Sequence, residues 1–331
     1  TVSNSEIYRN ASYGVYVTAG NEDFELVASK IRENASYGVY VTALRARIAD
    51  NEIWGNGSWG INASVSGATT TADWIVVEGN RVFDNAYGIA GSYDVVVRNN
   101  ESWGQNQGIS VDYGSIAEGN QVWANTTGIQ MGSNGIARGN VVYDNSTGLN
   151  GYNSLFEGNR VYGNTVGIVD GGYGRIANNL VYDNTSVGIQ VTYSHTAGSG
   201  GVVNNTIHQV GGKAIDVTSS NVTLRNNIIW QDGGTAITVA NDSQGGFVSD
   251  YNLFHLTNGA LLAWWEDRTF AGRTDWYYET GFDAHSLSGD PRFVDIDGVD
   301  NVNGWDGGFN YSQIIDDEDV GHAFTGAWTE I

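Results

Sequence analysis

Lysine occurs only at positions 30 and 213, in a chain with 37 Asp+Glu, 15 Lys+Arg and 5 histidines. Two of those histidines, His195 and His208, lie shortly before Lys213, and Asp216 shortly after it. Proton abstraction beside a carboxylate needs a basic side chain to take the proton and a cation to neutralise the acid. His195, His208, Lys213 and Asp216 are therefore the candidate catalytic residues, and an acidic sugar is the substrate they would suit. On one regular strand Lys213 and Asp216, flanking Ile215, point to opposite faces unless the preceding glycines bend the chain. The simpler alternative is that Lys213 pairs with a neighbouring aspartate as a surface ion pair worth under ~1 kcal/mol.

Two further groups could hold a ligand. Asp295, Asp297 and Asp300 pack hard oxygen donors closely enough for calcium. Gly298 comes at the fourth position of that stretch, where an EF-hand loop has its glycine at the sixth, so a solvated acidic turn is an equal reading. Tyr13, Tyr37, Trp59 and Tyr87 form a column of rings that stops after the fourth repeat. An interrupted column reads as a local carbohydrate-binding site or a subunit contact. A longer row comprises Tyr8, Trp54, Phe83, Trp103, Trp123, Tyr143, Tyr162, Tyr182, Trp230 and Phe254. Strand alternation turns it outward, where the rings either stack sugars or, as we favour, stack on one another.

The elements that position these residues are written as a repeat. Asn120-Gln-Val-Trp-Ala-Asn125-Thr-Thr-Gly128-Ile129 is followed by Asn140-Val-Val-Tyr-Asp-Asn145-Ser-Thr-Gly148-Leu149 and Asn159-Arg-Val-Tyr-Gly-Asn164-Thr-Val-Gly167-Ile168. A period near twenty residues means stacked supersecondary units that bury their apolar faces only against neighbours. The leading column runs Ser5, Ser29, Asn51, Asn80 and onward to Asn252, and a second asparagine column and a glycine column follow it. Asparagines at equivalent turns can stack their amides from coil to coil. With 46 Gly and 1 Pro, the composition suits many tight corners and unbroken ladders. At ~4.8 Å per strand, eleven or twelve coils make a rod about 55 Å long. Longer coils place loops at residues 63–73 and 193–201. The face where the second overhangs the coils around Asn205 and Asn227 is the expected place for a ligand.

The pattern Gly-Asn-x-Val-aromatic-x-Asn-x-x-Gly-Ile resembles the right-handed parallel β-helix repeat of the pectate-lyase-like superfamily, over residues 1–255. That family includes pectate lyases, polygalacturonases, alginate and chondroitin lyases, mannuronan C-5 epimerases and many surface proteins. The resemblance implies an all-β chain, a right-handed parallel β-helix (solenoid) of about eleven or twelve coils with an irregular C-terminal cap. If the chain is an enzyme, a polysaccharide lyase, epimerase or glycoside hydrolase is implied. Polygalacturonase motifs are absent. Gly281-Phe-Asp283-Ala-His285 is similar to the Tyr-Gly-Phe-Asp-Pro-His signature of mannuronan C-5 epimerases, with Thr280 in place of the tyrosine and Ala284 in place of the proline. The same stretch, with Ser286 and Asp290-Pro-Arg-Phe-Val-Asp295, resembles the tail that closes secreted bacterial β-helix proteins, so residues 256–312 are expected to cap the open sheet edges. Residues 313–331 resemble the opening of golvesin-type β-sandwich modules, or else form an acidic tail. The first residue falls inside a repeat, which suggests a piece of a longer secreted chain with neighbouring domains.

Composition narrows the partners. A formal net charge of −22 repels nucleic acid and anionic membranes. There are 0 cysteines, so disulfides and thiolate metal sites are excluded. No apolar run is long enough for membrane insertion. The expected role is an extracellular or cell-surface module that binds or processes a polysaccharide or surface glycan, and calcium is the one cofactor the sequence suits. The alternative is a non-catalytic structural or adhesive rod segment.

Overall fold

A computed structural model describes residues 1–65, 67–195 and 201–293. Each coil gives one strand to each of three parallel sheets. Sheet A runs from Val2–Ser3 to Val248–Asp250, and sheet B from Glu6–Tyr8 to Leu287–Ser288. Sheet C runs from Val15–Val17 to Leu261–Trp265, where Arg268–Phe270 closes it in antiparallel pairing. The result is an all-β parallel solenoid of about 12 turns, as expected. Ile31, Ile53, Val82, Val122 and Val142 from sheet B meet Ile61, Ile89, Ile109 and Ile129 from sheet C in one continuous apolar core.

Strands of sheet C depart from simple alternation. In Thr127–Met131 both Gly128 and Ile129 face inward, while Thr127 and Gln130 face outward. Thr127 pairs with Thr147 and Ile129 with Leu149, leaving Gly128 outside the register. A Cβ on Gly128 would lie 2.6 Å from the Gly148 carbonyl oxygen and 2.7 Å from Val142 Cγ1. The close approach therefore demands glycine, or in the later coils alanine at Ala214 and Ala236 with the chain adjusted around it.

The asparagine columns are buried amide ladders. Asn120 Nδ2 donates to Asn140 Oδ1 at 2.9 Å, and Asn140 Nδ2 to Asn159 Oδ1 at 2.9 Å. Backbone N–H groups of Asn120 and Asn140 donate to the same acceptors at 3.0 Å each. The second proton of each amide reaches a carbonyl one coil back, Val97 for Asn120 and Ala117 for Asn140. Every polar atom is used, so hydrogen bonds offset the cost of taking the amides out of water. At the N-terminal end Ser29 and Ser5 continue the column through backbone donors. The second ladder runs from Asn10 to Asn184 and bends around Gln105, whose Nε2 turns to Ser102 Oγ at 2.8 Å.

The expected cap is where the first ladder ends. Asn252 Nδ2 donates to Asp283 Oδ1 at 3.0 Å, and its backbone N–H donates to Ser286 Oγ at 2.8 Å. Asp283 also accepts from Ser286 Oγ at 2.6 Å and from Trp276 Nε1 at 2.8 Å. Trp276 belongs to Arg273–Thr280, the single α-helix of the described residues, and its ring is fully buried. The helix stops at Gly281, whose φ of 77° ends it in the left-handed conformation.

Truncating a rung tests this reading. Asn140→Ala leaves donors and an acceptor of two neighbouring coils unpaired, and should lower unfolding free energy by about 3 kcal/mol. Urea denaturation followed by circular dichroism checks it, and a change under ~0.5 kcal/mol would contradict the ladder's importance.

Candidate carbohydrate-binding faces

The outward rings divide by sheet. On sheet B, Trp54, Phe83, Trp103, Trp123, Tyr143, Tyr162 and Tyr182 stack on one another at centroid separations of 4.6 to 5.7 Å with interplanar angles of 10° or less. Ring faces in such a stack are consumed by neighbouring rings. Arg32 occupies the place between Tyr8 and Trp54, 4.3 Å and 5.9 Å from their centroids. Burial, then the charges of Asp144 and Glu101, pushes the Tyr143 phenol up to about 12, so it stays protonated. Phe254 is a correction to the expected row. It pairs with Ile229 and is buried in the core, and His255 takes the outward place beside Trp230. The self-stacking reading holds for this sheet.

On sheet C the rings are arranged differently. Tyr13 and Tyr37 are joined by Tyr16 and Tyr40, three residues on, because the inward glycine between them returns the later side chain to the outer face. Tyr13 meets Tyr16 at 40°, Tyr13 meets Tyr40 at 59°, and Tyr37 meets Tyr40 at 73°. Down each column the rings still stack, Tyr13 on Tyr37 at 14° and Tyr16 on Tyr40 at 19°, so the cluster is set apart by standing two rings abreast. Trp59 and Tyr87 extend the first column at a separation of 4.9 Å. Tyr16 is 58% exposed, the highest exposure in the cluster. Tyr16 and Tyr40 escaped the sequence reading, although the Tyr-Gly-Val-Tyr-Val string appears twice and marks them. Beyond Tyr87 a shallow groove of about 550 Å³ opens over the turns between sheets B and C, lined by Tyr87, Asn106, Thr126 and Ser146 among others.

The candidate catalytic residues lie in three environments. Lys213 and Asp216 share the outer face of sheet C, with Lys213 Nζ 2.9 Å from Asp216 Oδ1. Ala214 and Ile215 are both buried between them, so the expected opposition of the two side chains does not occur. Gln190 Nε2 donates to Asp216 Oδ2 at 3.3 Å. His208 instead sits on sheet B, its ring 4.6 Å from Trp230 and its Nε2 3.0 Å from Asp232 Oδ2. His195 lies inside the turn after sheet C, 2.9 Å from Asp170 Oδ2, with both side chains 1% exposed. That contact has ion-pair distance without the alignment of a hydrogen bond. Lys213 and Asp216 are thus brought together, and the two histidines are not brought to them.

The candidate metal ligands Asp295, Asp297 and Asp300 lie outside the described residues. Among the described residues no three His, Asp or Glu side chains converge as a metal site. Nor is any described helix long and apolar enough to cross a membrane.

Matches to the family model described as "Right handed beta helix region" cover residues 1–147, 96–219 and 173–274. The chain belongs to this right-handed β-helix family. Among solved structures, the β-helix is similar to the A-module of mannuronan C-5 epimerase AlgE6 from Azotobacter vinelandii, with a TM-score of 0.62 and 16% identity over 87% of this chain and 91% of that one. The AlgE4 A-module of the same organism matches with a TM-score of 0.51 and 15% identity over 86% and 91%. A structure of XylC in complex with xylose matches with a TM-score of 0.54 and 13% identity over 78% of this chain and 55% of that one. No match was found among curated protein sequences. Likeness at these identities is likeness of fold.

The epimerase-like stretch has a structural use in this β-helix. Asp283 is engaged in the cap, and His285 is held against Asp250, its Nδ1 2.7 Å from Oδ2 and its backbone N–H 2.8 Å from Oδ1. Tyr251 stacks on His285 at 5.0 Å, and Arg225 lies 4.9 Å from the Tyr251 ring centroid.

Two carboxylates give the β-helix an acid limit. Burial acts to raise Asp250, and hydrogen bonds from the His285 side chain, the His285 backbone and the Tyr251 backbone outweigh it, holding the carboxyl below its usual range. Asp232 is held low in the same way, burial being outweighed by hydrogen bonds from Thr257, His208 and Trp230. A depressed folded-state pKa contributes stability above the unfolded value of about 3.9, and that stability is lost as pH falls through the folded value. The melting temperature should therefore drop steeply below about pH 4, and Asp250→Asn should make that limb shallower. Thermal melts from neutral to strongly acid pH measure it, and an identical acid limb in the variant would contradict the assignment.

Proposed function

We propose that this β-helix binds an extracellular polysaccharide across the outer face of sheet C. The two-abreast cluster of Tyr13, Tyr16, Tyr37 and Tyr40, extended by Trp59 and Tyr87 and with Tyr16 exposed, carries this reading. Pyranose rings present apolar faces that pack on aromatic rings, and their hydroxyls need a polar rim. Asn106, Thr126 and Ser146 supply such a rim beside Tyr87. The fold likeness to an epimerase of mannuronan and to a xylose-bound protein agrees with it by analogy.

Lys213, Asp216, His195 and His208 do not form one site in this arrangement, so binding is the better-supported reading over turnover. Lys213 is neutralised locally by Asp216, which weakens the case for an acidic substrate at that point. Asp295, Asp297 and Asp300 stay the proposed calcium ligands, on the strength of their spacing. Calcium titration calorimetry with the wild type and Asp297→Asn tests them, and equal heats from both would dismiss the site. The rod-like alternative draws on sheet B, whose self-stacked rings offer no open face.

Calorimetry against neutral and acidic hexasaccharides, with absorbance monitoring for unsaturated products, tests the sheet C site. Trp59→Ala and Tyr40→Ala should each weaken binding about tenfold, the equivalent of ~1.4 kcal/mol. Unchanged affinity in both would remove the sheet C face from consideration.

A further inference from the structure

Five tyrosines stand on the turns that lead from sheet C back to sheet A. Tyr93, Tyr113, Tyr152, Tyr173 and Tyr193 are exposed by 41%, 52%, 47%, 41% and 55%. Tyr93, Tyr113 and Tyr173 hold φ at 54°, 50° and 58°. In this left-handed region the Cβ crowds the carbonyl oxygen, at a cost of roughly 1–2 kcal/mol per residue. The next coil has Ser133 in the place of Tyr113 and carries the left-handed conformation at Asn134, while Tyr173 stands where other coils have Asn153 and Asn221, at 49° and 61°. Strain-relieving residues are thus used a coil or two away, and the core does not call for these rings, which are exposed to solvent.

The rings form two groups. Tyr93 and Tyr113 stack at 4.3 Å with planes 1° apart, but this stack is only two rings long and both residues stay exposed, unlike Tyr162 and Tyr182 of sheet B, which are buried. Tyr152 meets Tyr173 and Tyr193 edge-on at 5.9 Å and 6.2 Å. Gly172 permits the second group, because a Cβ there would come within 2.8 Å of Tyr193 Cβ. Between the groups the chain places Gly132, Ser133 and Asn134, and Asn153 Nδ2 donates to Asn134 Oδ1 at 2.8 Å. Two ring groups separated by amide and hydroxyl groups match the apolar faces and hydroxyl rims of a sugar chain. The nearby charges are Asp94, Asp112 and Arg175, a negative balance in a chain of net charge −22. Polyuronates are repelled there, and uncharged chains are not.

We propose that this tyrosine row is a second carbohydrate-binding edge, separate from the sheet C aromatic cluster, that takes a neutral polysaccharide. The probes are xylohexaose and cellohexaose, with hexamannuronate as the acidic comparison, each titrated calorimetrically into the full chain. The variants are Tyr93→Asn/Tyr113→Asn, which places a residue tolerant of the left-handed region at both corners, and, separately, Tyr173→Asn, which installs the residue that neighbouring turns already use. The expected result is about a tenfold rise in Kd for a neutral hexasaccharide, with a melting temperature equal to or above wild type. A Tyr16→Ala/Tyr40→Ala variant should keep this binding step, which separates the edge from the sheet C site. Neutral binding unchanged in both asparagine variants would overturn the proposal, as would wild-type binding of hexamannuronate alone or of no probe. Sedimentation velocity showing a dimer that the asparagine variants abolish would also overturn it, assigning the row to a second copy of the chain.

Discussion

The amide ladder is the constraint from which the rest follows. An asparagine amide in the interior has two protons and an acceptor to satisfy, and leaving one unpaired costs about 1–3 kcal/mol. The solution here places a like residue at the equivalent turn in the coils above and below, asparagine to asparagine at 2.9 to 3.1 Å. Slipping one coil against another would unpair a whole column. Register is therefore set by polar groups in the interior, while the Ile and Val layers supply most of the burial. The ladder also needs an end, and Asp283 and Ser286 provide acceptors where the next asparagine would stand.

Once register is locked, every outward residue is placed directly over its equivalent. A column then becomes an array whose character depends on what repeats. On sheet B the repeating aromatic yields a wall of parallel rings, each stacked pair contributing about 0.5–1.5 kcal/mol beyond burial. Exposed ion pairs on the same sheet, such as Arg81 with Glu52 and Glu101, are worth at most about 1 kcal/mol each. The rings therefore dominate that face and close it to ligands. On sheet C the rings of the first two coils stand two abreast and the row stops at Tyr87, so the same residue types produce a wider platform on which Tyr16 is exposed.

How much of this could be read from the sequence depends on how strictly the ladder dictates it. The asparagine columns, the glycine column and the C-terminal stop were legible because each needs a particular residue at a fixed place. Lys213 and Asp216 were misjudged because alternation assumes a regular strand, and the inward Ala214 shifts the following residues by one place. Phe254 was placed by its neighbours instead of by its distance from the ladder. Three residues past Asn252 is His255, as Tyr143 is three past Asn140. His195 lies in one of the two long turns after sheet C, where no column constrains it, so its burial against Asp170 had no signature. The corner tyrosines did leave one, since 93 to 113 keeps the repeat period, but Ser133 breaks the column in the next coil.

A solenoid separates stability from function more cleanly than a globular core does. Each coil contacts only its neighbours, so strain at one turn is met locally by that coil's ladder rungs and apolar layer. Tyr113 in the left-handed region costs about as much as one surface interaction contributes, and the rungs at Asn120 and Asn125 stay intact beside it. A globular domain would spread such a distortion into packing shared by many elements. Here a ring can be held at an unfavourable corner at Tyr173 while Asn153, one coil earlier, relaxes the same corner. The outward surface of the rod is therefore free to vary coil by coil, and the departures from its repeat are the informative part of its sequence.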